Sequence, residues 1–150
     1  MIANDPLWQT ICAEARDAVV QDPLMSEFFA AAILRHQSLP QALCFNLSQP
    51  LHSSVVSAEV VATVIAEAMQ SDASICDAAS TDINASFERD PACENHFMPI
   101  LYFKGFQALQ LHRVSHWLWL QGRTVLALYF QSQISDVFAV DIHPGARLGC

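Results

Sequence analysis

Glycine and charged side chains are scarce in this 150-residue chain, which has four glycines and 15% charged residues. With so little glycine and no Asn-Gly or Asp-Gly pair, β-hairpins are hard to place before residue 138. The net charge of −8 argues against nucleic acid or an anionic membrane as a partner, because both require basic patches. No apolar run approaches the roughly 20 residues that a membrane span needs. These absences favour an acidic, helical protein without a membrane span.

Targeting and catalytic motifs are also missing. The first residues, MIANDPLW, lack the basic and apolar regions of a signal peptide, so we expect a cytoplasmic location. The cysteines at 12, 44, 76, 93 and 150 include no CxxC pair, and we expect them to be reduced and mostly buried. There is no nucleophile elbow, P-loop or dinucleotide fingerprint. No short motif in this sequence therefore indicates an enzyme class.

Hydrophobic residues, in contrast, make up 53% of the chain. The length suits one compact domain with a sizeable core. An apolar content this high predicts that some of the apolar surface faces a partner, and we expect self-association.

Helix-start signals recur through the first 90 residues. Asp5-Pro6 and Asp22-Pro23 each place a capping carboxylate before a proline at the first helical position. Ser53 or Ser54 precedes an apolar pattern at helical spacing, and Asp72 caps the next segment. These signals predict helices near 6–20, 23–36, 39–50, 55–70 and 73–88.

The second half predicts two more helices. Pro91 disfavours helix at Asp90 and places that carboxylate on a loop. The longest periodic segment covers 99–123, with Gly122 as its terminator, and a last helix covers roughly 124–135. The predicted fold class is therefore all-α.

Several side chains could carry chemistry, each with a plainer interpretation. His112 and His116, four apart on one helix face, could share a metal but lack a third ligand nearby, so we predict no metal site and favour hydrogen bonding at the end of the bundle or at an interface. Trp117 and Trp119 could stack on a ligand, but core or subunit contacts are the commoner role. Asp90, on its loop beside Arg89, could bind a ligand, but its plainer interpretation is a salt bridge at a helix C-terminus.

Five stretches, taken together, resemble the bacterial serine O-acetyltransferases. They are ICAEAR (11–16), ILRHQSLPQAL (33–43), DINASFERDPA (82–92), PILYFKGFQALQLHRVSHWLWLQGR (99–123) and VDIHPGARLG (140–149). The likeness covers essentially the whole chain, and the last two stretches are specific to that family.

The resemblance implies a multi-helix N-terminal domain followed by a left-handed parallel β-helix of hexapeptide repeats. We assign 1–138 to an α-helical assembly domain and 139–150 to the truncated start of the β-helix, with Ile142 and Leu148 as inward-pointing residues. A repeat coil cannot bury its apolar face without stacked neighbours. We therefore expect 141–150 to be a poorly ordered arm.

The family transfers acetyl from acetyl-CoA to the hydroxyl of L-serine in cysteine biosynthesis, with a histidine in a DHATG motif as general base. By resemblance, Asp141 orients that imidazole and Asp90 contacts the substrate serine, or cysteine as inhibitor. The motif is absent from these 150 residues, so we expect this chain to be inactive alone and to bind no cofactor, acetyl-CoA being a co-substrate of the full-length enzyme.

The resemblance also implies partners. In the family, trimers form through the β-helices, the helical domains join two trimers into a hexamer, and a C-terminal tail binds O-acetylserine sulfhydrylase. We expect this chain to form a dimer of helical domains. Two alternatives stay open: a stand-alone helical regulatory or ligand-binding domain without catalysis, and a short enzyme that uses His112, His116 or His143 as its base.

Overall fold

The computed structural model describes residues 5–149, and within them the regular structure is entirely helical. The prediction of an all-α fold class is confirmed. The helices are α1 (Pro6–Gln21), α2 (Ser26–Phe29), α3 (Leu39–Leu51), α4 (Ala58–Ser71), α5 (Ala73–Arg89), α6 (Met98–Tyr102), α7 (Lys104–Leu120) and α8 (Thr124–Phe138).

Side-chain caps begin most of the longer helices. Asp5 and Asp72 each accept a hydrogen bond from the backbone N–H two residues later, at the starts of α1 and α5, and Ser38 accepts from Gln41 N at the start of α3. Asp22 accepts in the same way at the start of a short 3₁₀ turn.

The cap of α4 differs from the prediction, because Ser57 accepts from Val60 N at the start of that helix. Ser53 instead accepts hydrogen bonds from Val55 N and Val56 N, in the turn that precedes α4. The helix therefore begins at Ala58, later than predicted.

Two of the predicted helices are interrupted. The segment predicted as 23–36 consists of a 3₁₀ turn (Pro23–Met25), α2 and a π-helical turn (Ala30–Leu34). The segment predicted as 99–123 is divided at Phe103, whose backbone is extended with φ −89° and ψ 101°. The break separates α6 from α7, and Tyr102 is 49% exposed instead of continuing the buried stripe of α7.

Helix α7 is the centre of the packing. It contacts α4, α5, α6 and α8, while α3 packs mainly on α4. Leu111, Val114 and Leu118 are fully buried, and so is the polar side chain of Gln110. Because α7 is surrounded, its polar residues must find partners inside the bundle.

Left-handed residues end the last two helices. Gly122, at φ 76°, follows α7 as predicted, and Arg123 N donates to Leu118 O across the turn. Ala139, at φ 56°, follows α8, so the final helix reaches Phe138, three residues beyond the prediction. The described part of 139–150 contains no strand, and the assignment of this segment to a β-helix stays a prediction.

Candidate functional site

Asp90 lies on a loop immediately after α5, as Pro91 predicts. Its backbone N–H still donates to Ser86 O, and its Oδ1 accepts from Ala92 N at 2.9 Å. Its carbonyl accepts from Cys93 N at 2.9 Å. Asp90 forms no ion pair within residues 5–149, so the salt-bridge interpretation is wrong. The second carboxylate oxygen is left without a hydrogen-bond partner in that range.

The far end of this loop is fastened to α1. His96 donates its backbone N–H to Glu14 Oε2, and its Nδ1 lies 2.7 Å from Glu14 Oε1. The His96 ring also stacks on Phe87 of α5, with 3.9 Å between the ring centroids. Sequence reasoning missed Glu14, because 82 residues separate it from His96. The Asp90 loop is thus held from both sides.

Cys93 forms the buried floor of the loop. Burial first, and then the negative charge of Asp90, raise the pKa of its thiol. The thiol therefore stays protonated at neutral pH and donates a weak hydrogen bond to Asn95 O at 3.4 Å.

Asp90 lines a groove of about 560 Å³ between the end of α5 and the start of α7. Arg89 and Asp90 contribute a cation and an anion from neighbouring positions, and Arg89 forms no ion pair within the described range. Phe103 and Phe106 supply apolar walls, and Gly105 lies where a side chain would narrow the space.

A buried polar network lies at one side of the groove. Asp82, which also lines it, accepts from Arg113 Nη1 at 2.6 Å and from Gln110 Nε2 at 2.8 Å. Arg113 Nη1 also donates to Gln110 Oε1 at 2.7 Å. Both charged side chains are mostly buried, with 11% of Arg113 and 17% of Asp82 exposed. The network ties α5 to α7 directly behind the site.

Asp141 lies apart from this groove. Its carboxylate accepts from Gln131 Nε2 of α8 at 2.8 Å and is exposed. No hydrogen bond or ion pair in residues 5–149 connects it with Asp90. The two predicted site residues are therefore not brought together by the helical bundle.

The segment after α8 is docked on α7, contrary to the expectation of a poorly ordered arm. His116 Nδ1 donates to Pro144 O at 2.7 Å, and His112 Nε2 donates to Ala146 O at 3.1 Å. His143 packs edge-on against Trp119, with ring centroids 4.8 Å apart. We call His112, His116 and Trp119 the docking stripe. The favoured hydrogen-bonding interpretation of the two histidines is confirmed.

The turn itself also resists rearrangement. His143 Nδ1 accepts from Gly145 N at 3.0 Å. A Cβ at Gly145 would lie 3.2 Å from that nitrogen and 3.3 Å from Trp119 Nε1. Such contacts are tight, so only glycine fits without a shift of the rings. Trp117, in contrast, is buried in the core, as the plainer interpretation of that residue predicts.

The remaining chemical groups indicate structural roles. Cys12, Cys44, Cys76 and Cys93 are free thiols, as predicted, but only Cys93 is buried and the other three are partly exposed, so the expectation that the cysteines are mostly buried is wrong for the described residues. Cys150 lies outside the described residues. Residues 5–149 contain no cluster of three or more histidine, cysteine or acidic ligands for a metal. Within the same range, no helix combines the length and apolarity that crossing a membrane requires.

Comparisons with known proteins agree on one family. The family model described as serine acetyltransferase, N-terminal, matches residues 7–111. The serine acetyltransferase of Haemophilus influenzae is 46% identical over 143 residues, which are 95% of this chain and 54% of that protein. The chain thus spans about half the length of the curated relatives it matches.

Solved structures give the same result. A serine acetyltransferase from Vibrio cholerae superposes with a TM-score of 0.91 at 50% identity, covering 94% of this chain and 55% of that one. A Neisseria gonorrhoeae serine acetyltransferase in complex with serine gives 0.91 at 41% identity, covering 96% and 60%.

Proposed function

The chain belongs to the serine acetyltransferase family, and from this premise we propose that it forms the helical part of an enzyme that transfers acetyl from acetyl-CoA to the hydroxyl of L-serine. The observation that carries the proposal is the groove with Arg89 and Asp90 at its edge. Free serine is a zwitterion, and a cation beside an anion complements its carboxylate and ammonium groups. Asp90 receives the ammonium through its unpaired oxygen, and Arg89 receives the carboxylate.

The neighbouring contacts support this role for Asp90. The bond from Ala92 N fixes one carboxylate oxygen at 2.9 Å, and the Glu14–His96 contacts hold the rest of the loop. A carboxylate fixed before the substrate arrives loses less conformational entropy on binding.

Asp141 acts in the same proposal as the carboxylate that orients the general-base imidazole. A serine hydroxyl is a weak nucleophile until a positioned imidazole takes its proton, and an adjacent carboxylate holds that imidazole in the correct tautomer. Asp141 is exposed, and within residues 5–149 its side chain is bonded only to Gln131, so its other oxygen can accept from an imidazole N–H.

We expect no acetyl transfer by the 150 residues alone. Among the described residues, none of the hydrogen bonds of the six histidine rings joins a histidine to Asp90 or Asp141, and for His112, His116 and His143 the bond supports the docked turn. An assay with acetyl-CoA and L-serine tests this expectation. Turnover that disappears on substitution of one of these histidines would instead establish the short enzyme.

Binding of serine is tested separately by NMR. Titration of the chain with L-serine should shift the amide signals of Ala92 and Cys93 with a Kd in the millimolar range. Asp90→Asn and Arg89→Gln should each remove the shifts, while Asp136→Asn, on the exposed face of α8, should leave them unchanged. Shifts that survive Asp90→Asn would refute this role of Asp90. Tight, specific binding would favour the alternative of a stand-alone ligand-binding domain.

Self-association is the second part of the proposal. Several apolar side chains stand in solvent, among them Leu24 at 93% and Val125 at 85% exposure. We expect light scattering across a concentration series to give a dimer, which Leu24→Asp or Val125→Asp converts to a monomer. A dimer indifferent to every exposed apolar-to-Asp change counts against a contact between helical domains.

A further inference from the structure

Asp141 lies between two fixed points of the chain. Two residues before it, Ala139 ends α8 in the left-handed conformation, and its N–H donates to Ser135 O at 2.9 Å. Two residues after it, the His143 ring packs edge-on against Trp119 of α7, with ring centroids 4.8 Å apart. The backbone at Asp141 is therefore held on both sides, and the freedom that remains is the rotation of its side chain.

Gln131 of α8 restricts that rotation. Its Nε2 donates to Asp141 Oδ1 at 2.8 Å, across ten residues of the chain. The backbone that carries Gln131 is rigid, because Phe130 and Ile134 on the same helix are buried in the core. Within residues 5–149, no other side chain donates a hydrogen bond to this carboxylate.

An amide at position 131 suits a carboxylate that has a second partner to receive. The neutral N–H of an amide fixes one oxygen and leaves the negative charge in place. A lysine or arginine would form an ion pair with the carboxylate and compete with an incoming imidazole, and an acid would repel it. Gln131 therefore orients Asp141 and leaves its other oxygen available.

We propose that Gln131 is a positioning residue for acetyl transfer, which holds Asp141 in the rotamer from which its free oxygen orients the general-base imidazole. The inference rests on the proposed role of Asp141 and adds to it a residue of the helical bundle. A carboxylate that is oriented in advance needs no reorganisation as the imidazole takes the serine proton. Gln131 touches neither substrate in this arrangement, so its loss should lower the rate of transfer and not the affinity for serine.

The contact itself is tested by NMR on the 150-residue chain. Asp141→Ala should shift the side-chain NH₂ signals of Gln131. The matched control is Gln133, two residues along α8, whose side chain forms no hydrogen bond among the described residues; its NH₂ signals should stay in place. Gln131 signals that do not respond to Asp141→Ala overturn the proposal.

The effect on the reaction is tested by kinetics of the full-length enzyme that contains these residues. Gln131→Ala should lower kcat about tenfold, because small displacements of a catalytic group can cost up to about 100-fold, and should leave the KM for L-serine within about twofold. Gln131→Glu, nearly equal in shape, adds a negative charge beside Asp141. It should move the acidic limb of the kcat pH profile to higher pH, because the added charge raises the pKa of the base. A merely structural role would not move that limb.

The outcomes separate this inference from the proposed function. Parental kcat in Gln131→Ala, a rise in KM alone, or an equal loss of kcat in Gln133→Ala overturns the inference. Circular dichroism checks folding; if Gln131→Ala unfolds, a Gln131→Glu variant with the parental kcat and pH profile overturns it equally. Absence of acetyl transfer in the parent enzyme refutes the proposed function instead, and the inference falls with it.

Discussion

The Asp82–Arg113 pair should contribute more stability than any exposed ion pair in the bundle. In Asp82→Ala, Arg113 loses its 2.6 Å partner and Gln110 loses an acceptor at 2.8 Å. Arg113 Nη2 is already buried without a partner among the described residues. The substitution therefore leaves a guanidinium in the interior, and within residues 5–149 only Gln110 Oε1 still accepts a hydrogen bond from it.

The expected magnitude follows from burial. Breaking a buried ion pair by removing one partner costs about 3–5 kcal/mol. Because 11–17% of the pair is exposed, we take the lower end, about 3 kcal/mol. For a domain of this size, that loss lowers Tm by roughly 6–12 °C.

Urea unfolding followed by tryptophan fluorescence measures the effect. The matched control is Glu67→Ala, which removes the partner of Arg123 from a pair with 40% and 52% exposure and should cost about 1 kcal/mol or less. A loss for Asp82→Ala no larger than for Glu67→Ala would refute the reasoning. The double variant with Arg113→Met should recover part of the loss, because it removes the unpaired charge.

Three further predictions concern single positions. Gly145→Ala should loosen the docked turn and speed amide exchange there, whereas Gly149→Ala, with open space around it, should not. Gly122→Ala should destabilise the chain by about 1 kcal/mol because of its positive φ. The matched control is Gly105→Ala, in the first turn of α7 with open space around it, which should not lower the stability. Burial lowers the pKa of His112, so the folded state binds fewer protons there than the unfolded state. The contribution of His112 to stability should be complete above pH about 6.5 and should fall as the pH drops below that value. Urea unfolding midpoints at successive pH values measure this loss, which should be absent in His112→Gln.

Local signals in the sequence account for much of the fold. Asp5, Asp22 and Asp72 begin helices because a capping carboxylate acts on N–H groups two residues away. The proline after Asp90 likewise places that residue on a loop. Such interactions are contained within a few residues, so a single sequence reveals them.

Contacts between distant segments could not be predicted in this way. The helix break falls at a phenylalanine, Phe103, and Gly105 beyond it lies inside α7. Glu14 contacts His96 across 82 residues. The docking of the last turn was also missed, because the i, i+4 spacing of His112 and His116 shows a shared face but not what that face contacts.

The docking stripe has a consequence for the geometry of whatever follows the last turn. Three contacts to α7, made by His143, Pro144 and Ala146, hold the segment after α8 against the helical bundle as far as residue 146. A flexible tether lets an attached module sample a volume that grows with tether length, whereas a rigid one holds the module at a high effective concentration toward its neighbour. The docked turn thus fixes both the point at which the chain leaves the bundle and the direction that it takes there.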